Sequence, residues 1–175
     1  KLQHAQLLES LFEIVGKEDA IAVANFFLRL GLELVESPPS EDQRNQQVTS
    51  AEIFGGVSRG LMHLFRDDCC AIWESILLPY LEVVITKLPI SLAASLYDAF
   101  RYSIHFFPFP YYAPLATWVV THIELSTWQS SDPDITGNDG ENQEDVSDSI
   151  GTNGFTLQSK WLYLANAILV EVDAD

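Results

Sequence analysis

Residues 51–60 read Ala-Glu-Ile-Phe-Gly-Gly-Val-Ser-Arg-Gly, three glycines and an alanine inside a long helical pattern with no turn signal around them. Glycine weakens a helix interior, so its repeated use there needs a reason outside the helix. The smallest side chains let a second backbone come close, and the expectation is a neighbouring helix packed directly against this stretch.

Helical periodicity continues on both sides, and strand-type alternation is nowhere sustained. Leu7, Leu8, Leu11, Ile14 and Val15 follow helical spacing up to a stop at Gly16. A second segment, Glu18 to Val35, sets Ile21, Ala24, Phe27, Leu28, Leu32 and Val35 on one face before Ser37-Pro38-Pro39 breaks it, giving a first hairpin. A third helix is expected from Ser40 to Phe65, with Ser40 and Gln43 as a capping box. Asp67 and Asp68 favour a new N-terminus for a fourth, kinked at Pro79 and closed by Leu88-Pro89. The predicted inter-helix core is Ile53, Phe54, Val57, Leu61, Ile72, Trp73, Ile76 and Leu77. Ser91 caps a fifth helix to about Phe107, an aromatic corner spans Phe106 to Pro114, and a sixth helix ends near Trp128.

From Gln129 to Asn153 the composition turns to Ser, Asp, Gly and Asn, with seven acids between Asp132 and Asp148 and no Lys or Arg from Tyr102 to Ser159. Such a segment buries too little apolar surface to offset its ordering entropy, so it is expected as a disordered loop. Helical periodicity resumes at Phe155 and runs through Trp161, Leu164, Ala165, Ile168 and Leu169. The predicted organisation is three helical hairpins over 1–128, an acidic loop over 129–153 and a further repeat helix over 154–175. Hairpin starts near Leu2, Glu41 and Ser91 approach the roughly 40–47-residue period of HEAT and armadillo units. The fold expected is all-α, an α-solenoid of stacked antiparallel hairpins; the competing arrangement is an ordinary globular helix bundle.

A net charge of −16, from 25 acids against 9 Lys and Arg, argues against direct binding of nucleic-acid backbones. No uninterrupted run of 18 or more apolar residues and no leader pattern supports a membrane span or a signal peptide. The charged fraction of 19% is below the usual ~25%, so part of the surface is expected to be covered by a partner or by neighbouring repeats. A pattern already running at Leu2, with Met62 the single methionine, leads us to expect an internal segment of a larger protein. Adjacent Cys69 and Cys70 cannot staple distant loops and point to a reducing compartment, cytosol or nucleus.

Candidate chemistry is thin. His63, Cys69 and Cys70 lack the spacing of a tetrahedral zinc site and read as packing residues. Asp98, His105 and His122 with Ser95 or Ser103 contain the ingredients of a nucleophile and its base, without a nucleophile elbow, and packing histidines are the plainer reading. Gly55, Gly56 and Gly60 lack the strand and Gly-Lys-Ser/Thr of a phosphate loop, so close helix packing is preferred. Arg59 is expected to reach a carboxylate or the carbonyls ending a neighbouring helix. The acidic run is either a solvated loop or a recruiter of a basic partner such as a histone tail. No catalytic residue, cofactor site or metal site is expected.

Ala51-Glu-Ile-Phe-Gly-Gly-Val-Ser-Arg-Gly60, followed by Trp73 and Leu78-Pro79-Tyr-Leu81, resembles a segment of the large single-chain proteasome activators, the family of proteasome activator complex subunit 4. Trp161-Leu-Tyr-Leu-Ala-Asn-Ala167 is similar to an aromatic helix downstream in that family. The resemblance implies a HEAT-like solenoid, nuclear and cytoplasmic, that forms a dome over the proteasome core particle, contacts its α-ring and promotes gate opening without ATP, with acetylated histone tails among the possible partners. The family's C-terminal tail with a hydrophobic-Tyr-X ending, its acetyl-lysine-recognising segment and its basic inositol-phosphate channel have no counterpart in these residues. No functional residue is therefore carried over. The alternative is a HEAT-repeat adaptor or transport scaffold for another protein.

Overall fold

The computed structural model describes residues 3–38, 42–129 and 149–172, and every regular element among them is helical. α1 (Gln3–Glu36) is divided by Gly16, whose φ of 73° and ψ of 176° leave the helical region. That φ is left-handed, which glycine adopts without a Cβ penalty. Neighbouring contacts define the break as a reversal. Leu8 and Phe12 lie against Gly56 and Gly60, and Lys17 lies over the Phe65 ring, so the first half of α1 runs alongside α2 (Gln43–Leu64) in the same direction. Gly31 meets Tyr80, which bonds Ser50, so the second half runs back along α2. Gly16 is thus the turn of a first hairpin.

The second hairpin pairs α2 with a composite arm: a 3₁₀ turn (Arg66–Asp68), α3 (Cys69–Ile72), a π turn (Trp73–Leu77) and α4 (Leu78–Lys87). Phe54 stacks on Tyr80 at 5.6 Å, and the Ser50 and Tyr80 hydroxyls are 2.9 Å apart, which fixes the antiparallel pairing. The disruption expected at Pro79 takes the form of the π turn just before it. Proline offers no N–H and crowds the carbonyl four residues back; a wider turn, closed by Leu78 N–H on Trp73 O, relieves both problems.

α5 (Ala93–Ile104), a 3₁₀ turn (Phe109–Tyr111) and α6 (Tyr112–Gln129) form the third pair of arms. Cys69 Sγ donates to Phe106 O at 3.2 Å and Trp73 lies 5.4 Å from Phe100, so α5 runs antiparallel to the composite arm and therefore parallel to α2. Tyr111 OH donates to Glu74 at 2.7 Å and Trp118 Nε1 to Glu82 at 2.9 Å, so α6 follows the composite arm in the same direction. Corresponding arms of neighbouring hairpins are parallel. α7 (Ser149–Val172) packs over α5 and α6 through buried Trp161, Leu164, Ala167 and Ile168.

Of the predicted core, Ile53, Phe54, Val57, Leu61, Ile72, Trp73 and Leu77 are buried and Ile76 is half-buried. The inward face of α1 differs from expectation. Ala5, Leu8, Phe12, Ala20, Ala24 and Leu28 point in, whereas Leu7, Ile14 and Ile21 are 67%, 83% and 38% exposed. Both faces of α1 are apolar, so periodicity alone does not choose between them, and the position of α2 decides which set turns inward. Ser40 lies outside the described residues, and α2 begins after Asp42, whose carboxylate accepts from the Asn45 side chain. Ser91 sits in a 3₁₀ turn (Ile90–Leu92) and Leu92 is the N-cap of α5. Residues 130–148 of the acidic segment are outside the described residues; Ser149 to Asn153 belong to α7, which starts earlier than expected. Arg66–Lys87 is long and apolar enough to cross a membrane, with a mean hydropathy of 1.5, but its buried residues Trp73, Leu77, Tyr80, Leu81, Val84 and Ile85 line the core between the hairpins.

Candidate functional site

The parallel arms α2 and α5 lie side by side and leave an open groove of about 930 Å³, closed at one side by Ala5 of α1. α2 lines it with Arg44, Asn45, Val48, Thr49, Ala51, Glu52, Gly55 and Arg59, and α5 with Ser95, Asp98 and Ala99. It adjoins a second cavity of about 360 Å³ lined by Arg59, Asp98, Arg101, Tyr102 and His105. The three glycines of α2 divide by role. A methyl on Gly56 would stand 2.7 Å from Leu8 Cβ and 2.8 Å from Ala5 O, and one on Gly60 would strike the Phe12 ring. Gly55 differs: a methyl there would meet nothing within 4 Å, because this residue faces the groove.

Arg59 lines both cavities, its guanidinium 5.7 Å from the Tyr102 ring centre. Its Nε is buried and has no hydrogen-bond partner among the described residues. Two turns on, Arg66 repeats the stacking over Phe106 at 5.4 Å. Burial pushes the Tyr102 phenol up, with Glu9 adding to the shift and Arg59 and Arg66 opposing it.

The residues weighed for catalysis do not form a working set. Asp98 on α5 and His105, the residue that caps it, share the smaller cavity but stand two turns apart, about 10 Å along the axis. Ser95 lines the larger groove, while Ser103 is fully buried and donates to Ala99 O at 3.0 Å. His122 is a packing residue on the far side: Nδ1 donates to Trp118 O at 2.9 Å, Nε2 lies 3.5 Å from Glu82, and the ring rests 4.4 Å from Trp161. Among the described residues no three His, Cys, Asp or Glu side chains are placed to hold a metal. His63 contacts Arg66 at 3.5 Å, Cys69 is buried, and the Cys70 thiol is pushed up to about 12, first by burial and then by Cys69 and Glu74.

The carbonyl-capping role expected of Arg59 belongs to Lys160. Its side chain is 6% exposed, and Nζ donates to Ile85 O at 3.0 Å and to Leu88 O. These are carbonyls at the C-terminal end of α4, where Pro89 prevents the helix from continuing. Burial lowers the Lys160 ammonium from its ordinary value. The sequence signal was available: a lone cation, with no Lys or Arg between Arg101 and itself, set against Trp161 and Leu164.

Among the described residues the protein is therefore all-α, with a groove between α2 and α5. Compared with known proteins, the chain matches no family model, no curated protein and no solved structure.

Proposed function

We propose that this chain is a structural, non-catalytic segment of an ATP-independent proteasome activator of the large single-chain kind, nuclear and cytoplasmic. In this reading the hairpins extend as a HEAT-like α-solenoid that caps the α-ring of the core particle and promotes gate opening for peptides or unfolded proteins. The observation that carries it is where the resembling residues fall. Gly56 and Gly60 admit the first hairpin, Trp73 packs on Phe100 and Phe107 of the third hairpin, and Pro79 follows the π turn. The motif residues are those that set the spacing between hairpins. Corresponding arms run parallel, as stacked repeats require, and each hairpin leans on its neighbours, so small rotations accumulate into curvature.

The second reading is a HEAT-repeat adaptor or transport scaffold, favoured by the groove between α2 and α5, which is open to a partner. The full parent protein, sedimented with latent core particle and assayed for fluorogenic-peptide hydrolysis, separates the two. Binding with activation is the expected result. Absence of a complex at low salt overturns the activator reading and leaves the adaptor.

A further inference from the structure

We propose that the first hairpin is a docking site for a basic amphipathic helix of a partner protein, seated in the apolar cleft between the two arms of α1 with a Lys or Arg on Asp19. This goes beyond the activator reading and does not depend on it.

The arms of α1 turn Phe12, Ala20, Ala24 and Leu28 into the core, and between them they leave an open cleft of about 560 Å³. Its walls are Leu11 and Val15 of the first arm and Ala22, Val23, Phe26 and Phe27 of the second. Phe26 is 64% exposed, and its ring is steadied edge-on by Phe27 at 5.3 Å. Exposed Leu7, Ile14 and Leu30 stand three or four residues from the wall residues and so prolong the apolar strip. From Leu7 to Val15 it runs about 12 Å along the axis, enough for two turns of a second helix whose apolar residues repeat at i, i+3, i+4 and i+7.

Charge decides which helix. α1 carries six acids, Glu9, Glu13, Glu18, Asp19, Glu33 and Glu36, against Lys17 and Arg29, and Lys17 is turned over the Phe65 ring. Asp19 lines the cleft itself, is exposed, and pairs with no described residue. Glu33 follows Phe26 and Leu30 at helical spacing, so acids bracket the strip of the second arm at both ends. A helix with Lys or Arg beside its apolar stripe neutralises them. A second copy of this chain brings no such cation. The exposed apolar residues of its α6 and α7, Val120, Leu125, Leu162 and Leu169, lie in a stretch from Tyr102 onwards whose single Lys or Arg is Lys160, buried on the α4 carbonyls. Pairing α1 with another α1 sets acid against acid, and an anionic lipid surface is repelled in the same way.

The test is fluorescence anisotropy with the 175-residue chain and three labelled peptides: a helix with a Leu stripe flanked by Lys, the same helix with Glu for Lys, and the Lys peptide in scrambled order. The ordered Lys helix is expected to bind about tenfold or more tightly than either of the others. Phe26→Ser and Ile14→Ser are each expected to weaken it about tenfold and Asp19→Asn about threefold, while Leu162→Ser on α7 leaves it unchanged. Circular dichroism checks each fold, and Ile14→Ser decides the matter if Phe26→Ser loses helicity. Sedimentation of the chain alone and with anionic vesicles tests the other two occupants. No binding by the parent chain, equal affinity for the ordered and scrambled Lys peptides, an Ile14→Ser affinity within about twofold of the parent, an Asp19→Asn affinity equal to it, or self-association or vesicle binding that Ile14→Ser abolishes overturns the proposal.

Discussion

Gly55 and Gly56 allow the same chemical change to be made at adjacent positions of one helix, with opposite expected signs. Alanine is favoured over glycine in a helix interior by about 1 kcal/mol, and this gain, with its unfolded-state part, is common to both sites. At Gly55 nothing lies within 4 Å of the new methyl, so Gly55→Ala should stabilise by about 0.5–1 kcal/mol. At Gly56 the methyl meets Leu8 Cβ at 2.7 Å, Ala5 O at 2.8 Å and Ala5 Cα at 3.0 Å. No rotamer change moves a backbone carbonyl or a Cβ, so the first hairpin must shift away from α2. Such overpacking costs about 1–3 kcal/mol, and subtracting the propensity gain leaves a net loss of up to about 2 kcal/mol for Gly56→Ala. The gap between the variants isolates the packing cost and should be about 1–3 kcal/mol, which separates their melting temperatures by roughly 2–4 °C per kcal/mol in a chain of this size. Urea unfolding followed by far-UV circular dichroism measures it. A gap below about 0.5 kcal/mol, or one of reversed sign, would show that the hairpins do not meet at Gly56.

Lys160→Met removes the donor from the end of α4 and should cost about 1–3 kcal/mol in the same unfolding assay, since the Ile85 and Leu88 carbonyls stay buried without it. Tyr80 is pushed up from 10.0 to about 12 by burial, with Ser50 opposing. Its neutral form is held by folding, so its contribution is complete below pH 10 and is lost as pH rises through about 12, at up to about 1.4 kcal/mol per pH unit; Tyr80→Phe should remove that slope. Cys70, pushed up to about 12, should react with a disulfide reagent at neutral pH far more slowly in the folded chain than after unfolding, and equal rates would contradict its burial.

Much of the architecture is legible in local chemistry because it is dictated locally. Gly16 announces a backbone that other residues avoid, Leu88-Pro89 stops a helix by removing a donor, and Gly56 and Gly60 announce a neighbour without naming it. What stays hidden depends on partners distant along the chain. Leu7 and Ile14 are as apolar as Leu8 and Phe12, and only the position of α2 decides which pair turns inward. Lys160 meets carbonyls more than seventy residues earlier, a pairing no periodicity encodes. The groove was hidden for the same reason: Gly55 and Gly56 are identical letters, and their roles diverge only when α5 closes one side and α1 the other.

The π turn before Pro79 acts as a swivel. Cys69 upstream of it and Trp73 at its first position engage Phe106, Phe100 and Phe107 of the third hairpin, and downstream Tyr80 engages Ser50, Phe54 and Gly31 of the second and first. A residue added to or taken from a helix re-aims everything beyond it by about 100°. Removing Ser75 to restore ordinary pitch would therefore leave a better-wound helix that faces the wrong neighbours on one side. In this arm irregular winding lets a single rod hold two hairpins at once.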